Sequence, residues 1–460
     1  MKKEINELAN LLKKNKFHEI LEKKDFLLKL YPNSEVIFDI LGLADFNLRN
    51  YDDAIISFKR ALEINPNFFQ SYNNLGSLLD DLKDYEEAIF YYKKGLKLSP
   101  NNHLILNNIA QCLSSLGSFK EARDYYEEAI VLEPKFFQAY NNLGILLQNL
   151  GFYKEAIISY EKCLEIEPNY FKAHNNLGII FLLNAEISKS KISFKNAQKI
   201  NPEYAPLYWN MHGFSSNIND AILLLKKCID FDSNNKEAYQ TLSFLEAYLG
   251  ITDLYKSLLI SDSKNDPYMR SFKWIFSLPK LPSLIFSRWS FFDKMISLSI
   301  KSRPFYEFGV WTGVSFRYLM KSYESGYGFD TFTGITEDWY NEKKGSYSSQ
   351  GEIPSISGGR FIVGAFNETL PIFFLKKRPK ASIINFDADL YSSTLCALEN
   401  SYNIIDNKTI LIFDEFIISD SWEEDEFKAL NEFSVKYNLR YEVLAVSIFT
   451  KQVAVRFLNI

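Results

Sequence analysis

Four acidic residues follow two short apolar runs in the second half of the chain. Asp387 and Asp389 follow the run IINF, and Asp414 and Glu415 follow the run TILIF. Short apolar runs bounded by turn residues are typical of buried parallel strands, whose carboxyl ends carry the functional site. Carboxylates there can accept a proton from a hydroxyl group or bind a divalent cation. The alternative is that Asp387 caps a turn and Asp389 leads into a helix, but the second strand of the same design favours a site.

A third predicted strand also carries an acidic residue, which is followed by a glycine-containing turn. Glu307 is followed by Gly309 and Gly313 in the stretch EFGVWTG. Glycine allows close approach of backbone to a ligand, and the helix amino terminus that follows favours negative charge. Asp330 ends the next predicted strand, at the distance at which an acid receives ribose hydroxyls. The pattern predicts a nucleoside cofactor, and S-adenosylmethionine is favoured because the GxGxxG and GxxxxGK[ST] fingerprints are absent.

Alternating strand and helix patterns position these residues. Repeated βα units predict a mostly parallel sheet with helices on both faces. The predicted strands are 305–310, 326–329, 360–363, 382–386, 409–413, 441–446 and 452–457, and the predicted helices are 314–323, 393–405 and 422–437.

Four motifs in this half carry a family resemblance. The stretches 307–311, 329–334, 387–394 and 413–415 resemble class I S-adenosylmethionine-dependent methyltransferases and, more narrowly, the macrocin O-methyltransferase family. The similarity covers about residues 300 to 457. It implies a Rossmann-like α/β domain with a mostly parallel seven-stranded sheet. It also implies methylation of sugar hydroxyls on small molecules with a divalent metal, usually Mg²⁺.

The resemblance also implies roles for individual residues. Ala388 stands where the family usually has glycine, and Glu415 where it has a second aspartate, which places the metal ligands in question. The resemblance places Asp387 or Asp389 near the proton that is removed. No histidine follows residue 212 to serve as the base. The cofactor would contact Glu307, Gly309, Trp311, Gly313, Asp330 and Asp387, and the metal would bind Asp387, Asp414 and Glu415.

Two further segments have competing interpretations. The loop 336–359, with Trp339, Tyr340 and Tyr347, is long enough for a substrate lid, which we favour over a surface insertion. The acidic run 423–426 is interpreted as a helix amino terminus rather than a second metal site.

The first half of the chain repeats with a period of 34 residues. Small residues and aromatic partners recur in the same register and would allow two helices to pack closely, while each proline would end the second helix. The prolines lie at positions 32, 66, 100, 134, 168 and 202. This pattern resembles the tetratricopeptide repeat over residues 17 to 235, with degenerate terminal repeats from about 205 to 262.

One asparagine per repeat forms a predicted ladder along the array. An amide offers a donor and an acceptor to a peptide backbone, as the similar ladder of O-linked N-acetylglucosamine transferases implies. The alternative is that these amides, with the preceding asparagines, bond neighbouring helices. The ladder consists of Asn74, Asn108, Asn142, Asn176 and Asn210.

Composition limits the other possibilities. The chain has 460 residues, a formal net charge of −5 and 47% hydrophobic residues, which predicts several domains and no nucleic-acid partner. Four scattered cysteines and the absence of an apolar leader or span favour a cytoplasmic protein. The predicted domains are a solenoid at 1–262, a connecting helical segment at 263–299 and a methyltransferase domain at 300–460.

Three functional hypotheses follow. The first is a sugar O-methyltransferase whose solenoid recruits the acceptor, its carrier or a protein or peptide partner. The second is a scaffold with an inactive methyltransferase-like domain, and the third is a protein methyltransferase whose ladder holds its substrate peptide.

Overall fold

The computed structural model describes residues 2–337, 344–345, 348–349, 351–388 and 390–460. The chain divides into two compact units, Met1–Ala173 and His174–Ile460. None of the helices in these ranges is long and apolar enough to cross a bilayer.

The first unit is a succession of paired helices. The predicted period is confirmed, because each second helix of a pair ends two residues before a repeat proline. The helices are α1 (Lys2–Lys13), α2 (Phe17–Leu21), α3 (Lys24–Leu30), α4 (Glu35–Asn47), α5 (Tyr51–Ile64), α6 (Phe69–Asp81), α7 (Tyr85–Leu98), α8 (His103–Ser115), α9 (Phe119–Leu132), α10 (Phe137–Asn149), α11 (Tyr153–Ile166) and α12 (Phe171–Leu183), the last of which extends into the second unit.

In several repeats a glycine of the first helix packs against an aromatic ring of the second helix. A Cβ added at Gly144 would lie 2.6 Å from the ring of Tyr160, and one at Gly76 would lie 2.7 Å from Tyr92. Both rings are fully or almost fully buried. The predicted pairing of small and aromatic positions therefore sets the distance between the two helices of a repeat.

We expect Gly144→Val to lower the free energy of unfolding of the first unit by about 2 kcal/mol, because the new side chain would overlap the Tyr160 ring. Urea denaturation followed by circular dichroism measures this change. The control is Ile145→Val on the same helix, where the side chain is 39% exposed and little change is expected. Equal midpoints for the two variants would contradict this account of the packing.

The second unit combines further helices with one sheet. The helices before the sheet are α13 (Ile187–Ile200), α14 (Ala205–His212), α15 (Ile218–Phe231), α16 (Lys236–Tyr248), α17 (Asp253–Leu259), α18 (Pro267–Ser277) and α19 (Arg288–Leu298). Those within the sheet region are α20 (Val314–Leu319), α21 (Phe366–Phe374), α22 (Tyr391–Ser401) and α23 (Glu426–Lys436), and short 3-10 turns lie at Asp262–Asn265, Tyr402–Ile404 and Trp422–Glu424.

Within the described ranges the sheet is mixed and has eight strands, not the predicted seven. Its order is β1-β7-β8-β6-β5-β2-β3-β4, and only β8 runs antiparallel to its neighbours. The additional strand is β1, which lies in the predicted connecting segment and pairs with β7. The strands are β1 (Ser283–Leu284), β2 (Phe305–Phe308), β3 (Gly326–Asp330), β4 (Gly359–Val363), β5 (Ile383–Phe386), β6 (Ile410–Phe413), β7 (Tyr441–Val446) and β8 (Val453–Phe457).

The two faces of the sheet have separate cores. On one face, Phe308 and Phe386 belong to a buried cluster that also contains Tyr208 of α14 and Phe272 of α18. On the other face, Phe305 packs in a cluster with side chains of α19 and α20. Because alternate strand residues face opposite sides, Glu307 lies on the same side as Phe305. The second compact unit begins at residue 174 and includes the terminal repeats as well as the sheet. The domain bounds 1–262, 263–299 and 300–460 stay a prediction.

Candidate functional site

Three adjacent strands end at the same level. Phe308, Phe386 and Phe413 are register partners in β2, β5 and β6. The backbone N–H of Asp387 donates to the carbonyl of Phe308 at 2.8 Å, and that of Asp414 donates to Phe386 at 3.1 Å. The two acid-tipped strands predicted from the sequence are therefore neighbours, and their first acidic residues follow paired positions.

The turn after β2 is packed tightly against the end of β5. Gly309 has φ +87°, and a Cβ added there would lie 1.7 Å from the carbonyl oxygen of Asp387. Trp311 also has a positive φ, +47°, and Gly313 with φ +74° directly precedes α20. Only glycine fits at position 309, because any side chain would overlap the neighbouring backbone.

Asp330 fixes this turn through three backbone hydrogen bonds. One carboxylate oxygen accepts from the N–H groups of Val310 and Trp311 at 2.6 and 2.7 Å, and the other accepts from Phe332 at 2.7 Å. A ribose hydroxyl at the predicted position would have to share oxygens that already have partners. The ribose role of Asp330 stays a prediction, and its described contacts are structural.

Glu307 is a fully buried acid beside the turn. Its Oε1 accepts a hydrogen bond from Asn385 Nδ2 at 2.9 Å, as the β2–β5 register requires. Its Oε2 is buried without a partner at ordinary hydrogen-bond length among the described residues. Burial raises the pKa of Glu307 to about 8, and the side chains of Ser315 and Asn385 offset part of this effect.

The stability of the second unit should fall as pH rises from about 4.5 to about 8. In this range the folded protein keeps the Glu307 proton that the unfolded chain releases, and the loss is at most about 1.4 kcal/mol per pH unit. Glu307→Gln keeps the Asn385 hydrogen bond without the titrating group, so it should remove this part of the pH dependence. Urea unfolding at pH 5 to 9 measures both proteins, and identical pH profiles would contradict the assignment.

Asp414 and Glu415 are each paired with cations. Asp414 is almost fully buried, and its two oxygens accept from Arg288 Nη2 and, at 2.7 Å, from Gln452 Nε2. Glu415 Oε2 accepts from Lys451 Nζ at 2.9 Å. Burial raises the pKa of Glu415, and the charge of Lys451 offsets this effect.

The described arrangement does not fit the predicted magnesium site. Among the described ranges, no group of three or more His, Cys, Asp or Glu side chains is placed to hold a metal ion. Arg288 and Gln452 already bond the two oxygens of Asp414, and Lys451 bonds Oε2 of Glu415. Mg²⁺ requires several free oxygen ligands in octahedral geometry. No step of the function proposed below therefore passes through a metal.

Sequence reasoning missed four residues of this cluster. Arg288 and Lys451 lie far from the acidic motifs in the chain, so no local pattern links each to its carboxylate partner. Asn385 could have been found, because it alternates with the apolar residues of β5 and faces the same side as Glu307. Gln452 is visible only once β8 is known to pair with β6.

Parts of the predicted site lie outside the described residues. These are Asp389, one of two candidates for the proton acceptor, and the predicted lid residues Trp339, Tyr340 and Tyr347. The described end of that loop covers Gly313, since a Cβ there would lie 3.0 Å from Pro354 Cγ.

The asparagine ladder takes part in bonds between repeats. In the first unit, Asn142 Nδ2 donates to Asn107 Oδ1 at 3.1 Å, and Asn74 donates to the buried Asp39 at 2.9 Å. In the second unit, Asn210 donates to Asn175 at 3.1 Å. The ladder residues, including Asn108 and Asn176, are partly exposed. Asn74, Asn142 and Asn210 thus make the bonds between helices that the alternative expects, whereas Asn108 and Asn176 accept from the preceding asparagine of their own helix. Peptide capture stays a prediction.

Comparison with known proteins defines the class of the first half. Models of the tetratricopeptide repeat match residues 37–68, 69–102, 103–136 and 137–170. The chain thus carries tetratricopeptide repeats in its amino-terminal region. No curated protein sequence matches the chain.

Three solved structures illustrate what the chain is similar to. The Cut9–Hcn1 hetero-tetramer of APC/C is 16% identical, with a TM-score of 0.45 over 51% of this chain, which spans 47% of that one. MamA from Desulfovibrio magneticus RS-1 is 19% identical, with a TM-score of 0.34 over 37% of this chain and 96% of its own. YrrB, described as a TPR protein with an unusual peptide-binding site, is 22% identical. Its TM-score is 0.31, and the match covers 40% of this chain and 96% of YrrB.

Proposed function

We propose that the second unit is an S-adenosylmethionine-dependent methyltransferase that acts on a hydroxyl of a sugar or glycan-like acceptor. The observation that carries this proposal is the junction of β2 and β5, where Gly309 packs on the backbone of Asp387. The four sequence motifs that resemble class I methyltransferases lie at this edge of the sheet.

The strand order supports the proposal. Counted from β2, the five parallel strands have the doubly wound order 3-2-1-4-5. Ligands of such sheets bind beyond the carboxyl ends of the strands where the order reverses, which is between β2 and β5 here. β8 is antiparallel to β6 and extends the sheet beyond these five strands.

The residues at this junction suit the cofactor. S-adenosylmethionine would supply a methyl group that is already activated for transfer. The buried Glu307 has an oxygen without a partner among the described residues, and in its ionised form it would favour a cationic ligand group. Gly309 and Gly313 have positive φ, and the absence of a side chain at Gly309 lets the turn pack directly on the end of β5.

Asp387 is the described residue that would assist the acceptor. It ends β5 beside Gly309 and is partly buried. A sugar hydroxyl is a poor nucleophile at neutral pH, so a carboxylate must accept its proton as the oxygen attacks. The remaining task of the protein is to hold that oxygen in line with the methyl group.

The repeats give the chain a surface for a protein or peptide partner. Tetratricopeptide arrays present extended faces made of equivalent positions in successive repeats. We infer that the array recruits the acceptor, its carrier or a partner enzyme to the methyltransferase. Under the protein methyltransferase hypothesis the partner is a peptide substrate.

Calorimetric titration with S-adenosylhomocysteine tests the proposal. A saturable binding heat from a folded sample is the expected result. The second candidate is a binding scaffold with an inactive domain, favoured by the pairing of Asp414 with Arg288 and Gln452. No binding heat from a sample with native circular dichroism would support the scaffold and overturn the enzyme.

A further inference from the structure

A cavity lies in the second unit outside the cluster of acids. Its volume is about 350 Å³, within the range of small-molecule sites. Its walls come from the loop before α15, from α16 and from the β1–α19 turn. They include Ser216, Asn217, Tyr248, Ile285, Phe286 and Ser290.

The cavity lies at the same edge of the sheet as the candidate site. β1 is parallel to β7, and both β6 and β7 are antiparallel to β8, so β1 and β6 point the same way. Ile285 and Phe286 directly follow β1, just as Asp414 follows β6. Arg288, two residues after Phe286, donates to Asp414. One turn therefore contributes both to the cavity wall and to the acid cluster.

A buried polar network connects the cavity wall at Phe286 with the acid cluster at Asp414. The carbonyl of Phe286 accepts from Ser447 Oγ at 3.4 Å, and Ser447 Oγ is 2.7 Å from Thr450 Oγ1. Thr450 Oγ1 is 2.9 Å from Gln452 Oε1, and Gln452 donates to Asp414 at 2.7 Å. Ser447 and Gln452 are fully buried, so this network fixes the cavity wall relative to the acids.

The lining is neutral and rich in hydroxyl groups. Among the described residues that line the cavity there is no Lys, Arg, Asp or Glu. Asn217 is occupied at the start of α15, where its amide bonds Asp220. Ser216 Oγ donates to Asp220 and can still accept from a ligand hydroxyl, and Ser290 Oγ accepts from Ser287 and can still donate. Tyr248 and Phe286 add aromatic surface. The Oγ of Ser215, also in the wall, is buried without a partner among the described residues. This combination suits a neutral polyhydroxylated ring better than an anion or a cation.

We propose that this cavity binds a neutral sugar ring of the acceptor and that the terminal repeats thereby supply part of the substrate site. The proposal rests on the proposed methyltransferase function and extends it, because it assigns acceptor binding to the α14–α15 loop and the β1–α19 turn. Ser216 and Ser290 are exposed and lie in different walls, so larger side chains there would fill the cavity without disturbing the core.

Saturation-transfer NMR on the full chain with neutral methyl glycosides tests the proposal. Wild type should transfer saturation to the sugar ring protons, and Ser216→Trp and Ser290→Trp should weaken binding at least about tenfold. The matched control is Ser297→Trp, an exposed serine on the same helix seven residues further on, which should bind as wild type. Inorganic phosphate serves as the anionic probe and should not compete.

The outcomes separate this proposal from the proposed function. If S-adenosylhomocysteine binds but no glycoside does, or if both cavity variants bind glycosides like wild type, the cavity assignment is overturned alone. Competition by phosphate overturns it as well. If glycosides bind in the cavity but S-adenosylhomocysteine gives no heat with wild type, the methyltransferase fails, and with it the role of the cavity as an acceptor site.

Discussion

Asp387→Asn is expected to reduce methyl transfer to a neutral glycoside acceptor by about 10²- to 10⁴-fold, the usual contribution of a general base. The amide keeps the size of the side chain but cannot take the proton of the attacking hydroxyl at neutral pH. The affinity for S-adenosylhomocysteine should change much less. Transfer of a radiolabelled methyl group measures turnover, and calorimetry measures binding.

Two matched variants define the result. Asp420→Asn makes the same chemical change at an exposed position and should keep wild-type turnover. Asp389→Asn tests the other candidate for the proton acceptor. Full turnover in Asp387→Asn together with loss in Asp389→Asn would transfer the role to Asp389 and contradict the assignment made here.

Gly309→Ala is expected to abolish S-adenosylhomocysteine binding and to destabilise the second unit by about 3 kcal/mol or more. The new Cβ would lie 1.7 Å from the Asp387 carbonyl oxygen, so the ends of β2 and β5 would have to separate. Calorimetry and urea denaturation measure the two effects, and the helical signal of the first unit should persist.

The control for this variant is Gly250→Ala. Gly250 has φ +90° in the same unit, but a Cβ there would meet nothing within 4 Å. It isolates the cost of the positive φ, which is about 1 kcal/mol, from the cost of the overlap. Equal effects of the two substitutions on stability and on ligand affinity would show that the β2–β5 contact is not required.

The repeats could be predicted in detail because they depend on local and periodic features. Each proline ends a helix, and Gly144 accommodates Tyr160, so the sequence period is also the structural period. Most strands were also visible, since β5 and β6 are buried apolar runs that end in acids. Helix α21 was missed because Pro371 lies within it, and β1 because a two-residue strand has no pattern.

The chemistry of the site was only partly predictable. That Asp387 and Asp414 end adjacent strands follows from the βα pattern. The βα pattern does not predict that Asp414 pairs with Arg288, because these residues are 126 positions apart and meet only through tertiary packing. Tertiary packing also directs the Asp330 carboxylate to backbone N–H groups. It buries Glu307 and so raises its pKa, and the sequence alone does not reveal this burial.

A crystal structure of the chain soaked with S-adenosylhomocysteine and magnesium tests the central claim most directly. The account predicts ligand density at the junction of β2 and β5, next to Gly309 and Asp387, and an intact pair between Asp414 and Arg288. Well-resolved density for the β2–β5 junction that shows no ligand there, or a ligand bound elsewhere, would contradict the assignment of the second unit as a methyltransferase.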